Sequence, residues 1–185
     1  RKKTIKSIKP NGKTLIQKSE LKKFKKLSFL FSKNKYKKPK PKRKYTVVEL
    51  FAGSGGLALG FEKAGLKCLF TNDIDKDSCE TLKKNRPKWN VLHKDVHKIN
   101  DSEFKKFKGT DVVSGGFPCQ AFSYAGKKLG FKDTRGTLFY EFARAVKIIK
   151  PKICLAENVR GLISHDGGKT LKTIINIMEE IGYKV

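Results

Sequence analysis

The sequence predicts an α/β protein built on a doubly wound, mostly parallel sheet, and three observations carry that reading. From Tyr45 onward, apolar runs of strand length alternate with segments of helical periodicity, the order that winds a parallel sheet with helices on its faces. A glycine-rich turn, FAGSGG (residues 51–56), stands between the first run and the first helical segment. An acid, Asp73, closes the second run 20 residues after Gly53, where doubly wound nucleotide binders place a carboxylate.

The elements follow in order. Val47, Val48, Leu50 and Phe51 form a buried first strand. Leu57, Phe61 and Ala64 share one face of a helix that stops at Gly65, a residue type suited to helix C-termini. Residues 68–71 read as the second strand, 76–85 as a helix stopped before Pro87, 90–93 as a short third strand and 111–114 as the fourth. Leu138, Phe142, Ala143, Val146 and Ile149 mark a helix that ends at Pro151. Residues 153–156 make a fifth strand, and Leu171, Ile174, Ile175 and Met178 line a last helix.

The 185 residues, 38% of them hydrophobic, are enough for one domain with its own core. The formal net charge is +26 and unevenly spread: residues 1–44 carry 19 Lys or Arg and one acid, Glu20, whereas residues 45–185 carry 24 and 16. Such an excess selects a polyanion as partner, either nucleic acid or an anionic membrane surface. Residues 1–44 are therefore read as a basic low-complexity arm and residues 45–185 as the folded domain. The arm ends in KKPKPKRK, whose alternating prolines favour an extended backbone. Leu21, Phe24, Leu27 and Phe31 give residues 19–31 the pattern of a basic amphipathic helix, so a solvated arm and a partner-bound helix both stand.

Cys68, Cys79, Cys119 and Cys154 include no CxxC pair and no His at zinc-ligand spacing. Neither a metal cluster nor a disulfide framework is expected; the pattern suits reduced thiols in a cytosolic protein. A signal-peptide pattern is missing, as is an apolar run of about 18 residues, so neither secretion nor membrane spanning is expected. The chain opens on Arg1 rather than Met, and these residues are expected to belong to a longer product.

In the glycine turn, GSGG lacks the full GxGxxG spacing for a pyrophosphate. A nucleoside cofactor without phosphates fits it better than a nicotinamide dinucleotide, with Asp73 accepting from ribose hydroxyls. Ile74 is placed to lie against an adenine face. Asp95, in HKDV after the third strand, is either an acceptor for an exocyclic amine or an ordinary loop acid. Cys119, in GGFPCQAFS (residues 115–123), follows the fourth strand, and Glu157, in AENVRGL, follows the fifth. A thiol and a carboxyl on adjacent strand ends can serve one substrate, the thiolate attacking and the acid donating a proton.

FAGSGG, GGFPCQAFS, RGTLFYEFARAVKIIKPK and AENVRGL together resemble the DNA cytosine-5 methyltransferases of bacterial restriction–modification systems, from Lys44 to Val185. The resemblance implies a Rossmann-like methyltransferase fold that uses S-adenosylmethionine and acts on double-stranded DNA with a flipped cytosine, in the bacterial cytoplasm. It implies that Phe51, Gly53, Gly55, Asp73, Ile74 and Asp95 hold the cofactor, that Cys119 adds to carbon 6 of the base, and that Glu157 contacts ring nitrogen 3 and the exocyclic amine. Pro118 would shape the cysteine loop, and Asn158 and Val159 would support the glutamate turn. Residues 121–135, with Ser123, Gly126, Lys127, Lys128 and Arg135, would form a lid that closes on DNA, the alternative being an ordinary solvated loop.

The family's later arginine-bearing motif, its target recognition domain and its last helix have no counterpart in these residues. A fragment of a longer enzyme is the favoured expectation, ahead of a split enzyme whose second polypeptide carries those motifs, or a degenerate product. The competing functions are an RNA cytosine-5 methyltransferase, an inactive DNA-binding scaffold and, last, a nicotinamide oxidoreductase, which gives the PCQ loop no task.

Overall fold

The computed structural model of the protein describes residues 43–118 and 137–185, with the backbone of two dipeptide strands, Ser7–Ile8 and Leu15–Ile16. The chain divides into two units, Arg1–Lys40 and Pro41–Val185. In the first, Ser7 pairs with Ile16 and Ile8 with Leu15 in antiparallel fashion, which the lysine-rich composition does not announce. The amphipathic segment expected over residues 19–31 lies outside the described residues.

The second unit runs β1 (Thr46–Leu50), α1 (Gly56–Lys63), β2 (Lys67–Asp73), α2 (Lys76–Asn85), β3 (Val91–His93), α3 (Asp101–Lys105), β4 (Val112–Gly115), α4 (Leu138–Ile149), β5 (Ile153–Ala156) and α5 (Lys169–Glu180). The sheet order is β3-β2-β1-β4-β5 and every pairing is parallel. This is the doubly wound arrangement expected from the alternating elements.

Local chemistry explains the helix limits. α2 starts where the Asp75 side chain accepts the Ser78 N–H at 2.7 Å, with Asp77 in its first turn and Lys83 and Lys84 in its last, charges that complement the helix dipole. α4 starts where Thr137 accepts the Tyr140 N–H at 3.0 Å and ends at Lys150, in the left-handed region, before Pro151.

The sheet buries both faces. Val48, Leu50 and Val113 face a core with Phe104 of α3, Phe139, Phe142 and Val146 of α4, and Ile177 of α5. On the other face Cys79 and Leu82 of α2 pack with Ala52, Val91 and Trp89. Arg144 ties α4 to the segment after β3. It pairs with Glu141 and Asp101, donates to the Ile99 carbonyl at 2.9 Å and lies 5.0 Å from the Phe104 ring centroid.

Three features depart from the sequence reading. α1 buries Ala58 rather than Ala64, which is exposed at its C-cap; the small side chain lets the helix approach the sheet closely. α3 and the 3-10 turn Val96–Lys98 are too short for a periodicity to register. β5, apolar enough to read as buried, leaves Ile153 60% and Leu155 40% exposed, because it is the last strand of the sheet and no described residue covers that face.

Arg43 fastens the start of the second unit. Its guanidinium forms a bidentate pair with the buried carboxylate of Asp111, which also accepts from the Thr46 N–H at 3.0 Å and Oγ1 at 3.2 Å. This occupation of its side chain explains why Asp111 precedes β4 rather than joining it. The Arg43 partnership holds the Asp111 carboxyl well below the usual carboxylate range. A depressed folded-state pKa gives stability that is present above the unfolded value, about 3.9, and lost as pH falls below it. Asp111→Asn is therefore expected to lower the urea midpoint at pH 7, with the gap to wild type closing below about pH 4. Phe142→Ala, in contrast, should cost about 3–5 kcal/mol of unfolding free energy at either pH.

Candidate active site

The strand order reverses between β1 and β4, so the connections leaving their carboxyl ends diverge and open a cleft there. Its volume is about 630 Å³. The turn after β1 forms one wall. Phe51 is held at φ 56°, a region costly for a bulky side chain, and its ring meets that of Phe117 edge-on at 6.5 Å. Gly53 follows at φ 52° and Gly55 at φ 89°. A Cβ on Gly55 would lie 2.3 Å from Leu82 Cδ2, so the turn can pack against α2 only with glycine at that position.

The carboxylate of Asp73 fixes this turn to the end of β2. Its Oδ2 accepts the Gly53 N–H at 2.7 Å and its Oδ1 the Asp75 N–H at 2.8 Å. Each oxygen keeps a further lone pair for a ligand. Ile74, next along the rim, is 67% exposed, and His93 Nε2 lies 3.0 Å from its carbonyl. Asn72 donates to the Leu92 and Lys94 carbonyls at 3.0 and 2.8 Å, aiming the next residue, Asp95, at the cleft. Asp95 Oδ1 accepts the His97 N–H at 3.0 Å and lies 2.9 Å from His97 Nδ1. These bonds to His97 hold its carboxyl below the usual range, so it is an acceptor at neutral pH.

The opposite wall comes from β4 and β5. The Glu157 N–H donates to the Gly115 carbonyl at 3.0 Å, and a Cβ on Gly116 would stand 3.0 Å from Glu157 Oε2. Two glycines thus let the glutamate lie close against the end of β4. Asn158 Nδ2 donates to the Phe117 carbonyl at 2.7 Å, and its Oδ1 accepts the Val159 N–H at 2.8 Å, joining the segment that leads to Pro118 to the turn after β5.

Phe51, Asp73, Ile74, Asp95, Pro118, Glu157, Asn158 and Val159, read from the sequence as site residues, all line this cleft. Gly53 and Gly55 act from behind through backbone conformation. Cys119, Ser123 and Arg135 lie outside the described residues. The sequence reading missed Asn72, Phe117 and Leu138 on the cleft wall; each is flanked by a residue it did weigh, yet nothing in its own type marks it as functional. Burial pushes the Cys68 and Cys154 thiols up to about 12 and raises that of Cys79, so these three are inert as nucleophiles.

The family model for C-5 cytosine-specific DNA methylases matches residues 45–185. The chain belongs to that family. It is 57% identical over 175 residues to the Type II methyltransferase M.Eco47II of Escherichia coli, covering 94% of this chain and 41% of that protein. It is 52% identical over 143 residues to M.Sau96I of Staphylococcus aureus, covering 76% and 33%. Among solved structures, it is similar to one described as a DNA modification methyltransferase encoded within an E. coli prophage, with TM-score 0.58, 29% identity, and 74% and 38% of the two chains covered. The chain thus spans less than half the length of these methylases.

The donor set fits the methyl-donor cofactor of such enzymes: an apolar wall at Phe51 and Ile74, two ionised acceptors at Asp73 and Asp95, and a turn that leaves the end of α1 uncapped by any side chain. Gly55→Ala is expected to destabilise the fold by about 1–3 kcal/mol through overpacking and backbone strain. In a Leu82→Ala background the added cost should fall, leaving the backbone strain, as a double-mutant cycle in urea can read.

Proposed function

We propose that the chain is the cofactor-binding and catalytic part of a DNA cytosine-5 methyltransferase of a restriction–modification system. The observation that carries this is the gathering of Phe51, Asp73, Asp95 and Glu157 around one cleft at the switch point, with the PCQ tripeptide following directly from its wall. Phe51, Ile74, Asp73 and Asp95 would hold S-adenosylmethionine, with Gly53 and Gly55 shaping the turn beneath it. When bound, that cofactor supplies an electrophilic methyl group.

The residues of the chain make cytosine able to accept it. Carbon 5 is unreactive in the intact aromatic ring, so the Cys119 thiolate adds to carbon 6, forming a sulfur–carbon bond and moving electron density onto carbon 5. Glu157 meets ring nitrogen 3 and the exocyclic amine and neutralises the charge that develops there. Once carbon 5 carries the methyl group, a base takes its proton, the sulfur–carbon bond breaks and the ring double bond returns. Asn158 serves as a positioning residue, because its bond to the Phe117 carbonyl supports the segment that enters the cysteine loop.

The base is reached only outside the duplex stack, so the DNA partner must present it flipped. Ser123, Asn158, Val159 and Arg135 are the proposed contacts on the DNA side, and the basic arm adds sequence-independent attraction to phosphate. The later motifs and target recognition belong to sequence beyond these 185 residues or to a second polypeptide. The length of the relatives and the exposed apolar face of β5 support that reading.

In a protein extended to the length of its relatives, Cys119→Ser should abolish covalent trapping on 5-fluorocytosine DNA and leave S-adenosylmethionine binding intact. Trapping that survives the substitution would move the nucleophile elsewhere.

A further inference from the structure

Three buried polar side chains form a row across the central strands directly beneath the glycine turn. Glu49 of β1 is in register with Thr71 of β2 on one side and with Ser114 of β4 on the other. All three are at most 2% exposed. Glu49 Oε2, Thr71 Oγ1 and Ser114 Oγ are buried without a hydrogen-bond partner among the described residues. Unpartnered buried oxygens are costly and rare, and here they coincide with the strand residues that precede the cleft.

Glu49 also reaches upward. Its carboxyl accepts the backbone N–H of Ala58, the third residue of α1. That helix has Gly55 at its N-cap, no side-chain cap and no acid in its first turn. The orphan donor that a capping Ser or Asp would take is therefore satisfied from the sheet.

We propose that Glu49 is a positioning residue for the methyl-donor site, one that holds the cleft-facing turn of α1 and changes its protonation with the charge of the bound ligand. The role rests on the cofactor reading above. Burial first, and then the Asp73 carboxylate, raise the Glu49 pKa to about 7 against the Ala58 bond, which lowers it. The groups facing it are few. β2 contributes Asp73 and Cys68, whose thiol feels Glu49 in turn; α1 contributes Ala58 and β4 contributes Ser114, neither charged. A cationic sulfonium ligand near this pair stabilises the carboxylate, so its binding releases a proton and strengthens as pH rises through about 7. The uncharged thioether product exerts less of this pull.

The test is calorimetric titration of the 185-residue chain with S-adenosylmethionine and with S-adenosylhomocysteine from pH 6 to pH 8.5, in wild type, Glu49→Gln and Glu49→Ala. Amide exchange at Ala58 is followed without ligand. Wild type should bind the sulfonium several-fold more tightly at the upper pH, with a weaker trend for the thioether. Glu49→Gln should retain binding and lose the difference in trend. Glu49→Ala should weaken binding and speed Ala58 exchange, each by about fivefold, the loss of one helix cap. Glu49→Gln following the wild-type pH profile, or Ala58 exchange unchanged in Glu49→Ala, would overturn the proposal. A folded wild-type chain that binds neither ligand would instead defeat the cofactor reading for this length of chain, and the Ala58 exchange alone would then decide whether Glu49 positions α1.

Discussion

β1 is hydrogen-bonded to β2 on one side and β4 on the other, and the rest of the site depends on that placement. The chain leaving β1 turns toward α1 on one face, whereas the chain leaving β4 crosses to the opposite face, so backbone cannot fill the space between their ends. The cleft is a consequence of winding direction, and its lining is whatever residues stand at the last positions of the strands. That is why residues far apart in sequence, from Phe51 to Val159, meet in one place.

Within this frame, carboxylates do most of the fastening. Asp73 ties the glycine turn to β2, Asp111 receives Arg43 at the opposite end of the sheet, Asp95 caps the 3-10 turn after β3, and Glu49 reaches a helix that lacks its own cap. Three of these stay ionised because donors meet them directly. Glu49 differs because it is buried with only part of its hydrogen-bonding capacity used, and burial without full compensation moves a carboxyl toward neutrality. One fold thus carries acceptors fixed in charge beside another that can change.

The distribution of thiols follows the same logic. Cys68, Cys79 and Cys154 sit in or beside the packed sheet and are held protonated by burial. Cys119 differs in sequence context, since it follows two glycines and a proline at the strand end where the cleft opens. A nucleophile must exchange with the thiolate form and meet substrate, and the loop after β4 is where this fold can supply both.

The sequence alone determined the strand–helix alternation, all five parallel strands and most of the cleft lining, because each rests on local signals: apolar runs of strand length, glycines at a strand-to-helix turn, and acids just past strand ends. α2 and β5 fall on the residues read for them, since a proline or a turn bounds each. Tertiary structure decided what periodicity cannot carry. It showed that α1 rests on Ala58, that β5 is an edge with one face exposed, and that Asn72, Phe117 and Leu138 share the cleft. It also showed that Glu49, an acid inside an apolar strand, lines up with Thr71 and Ser114. Such facts depend on which strands become neighbours and in what register, and register is set by the packing of the whole sheet rather than by any one segment.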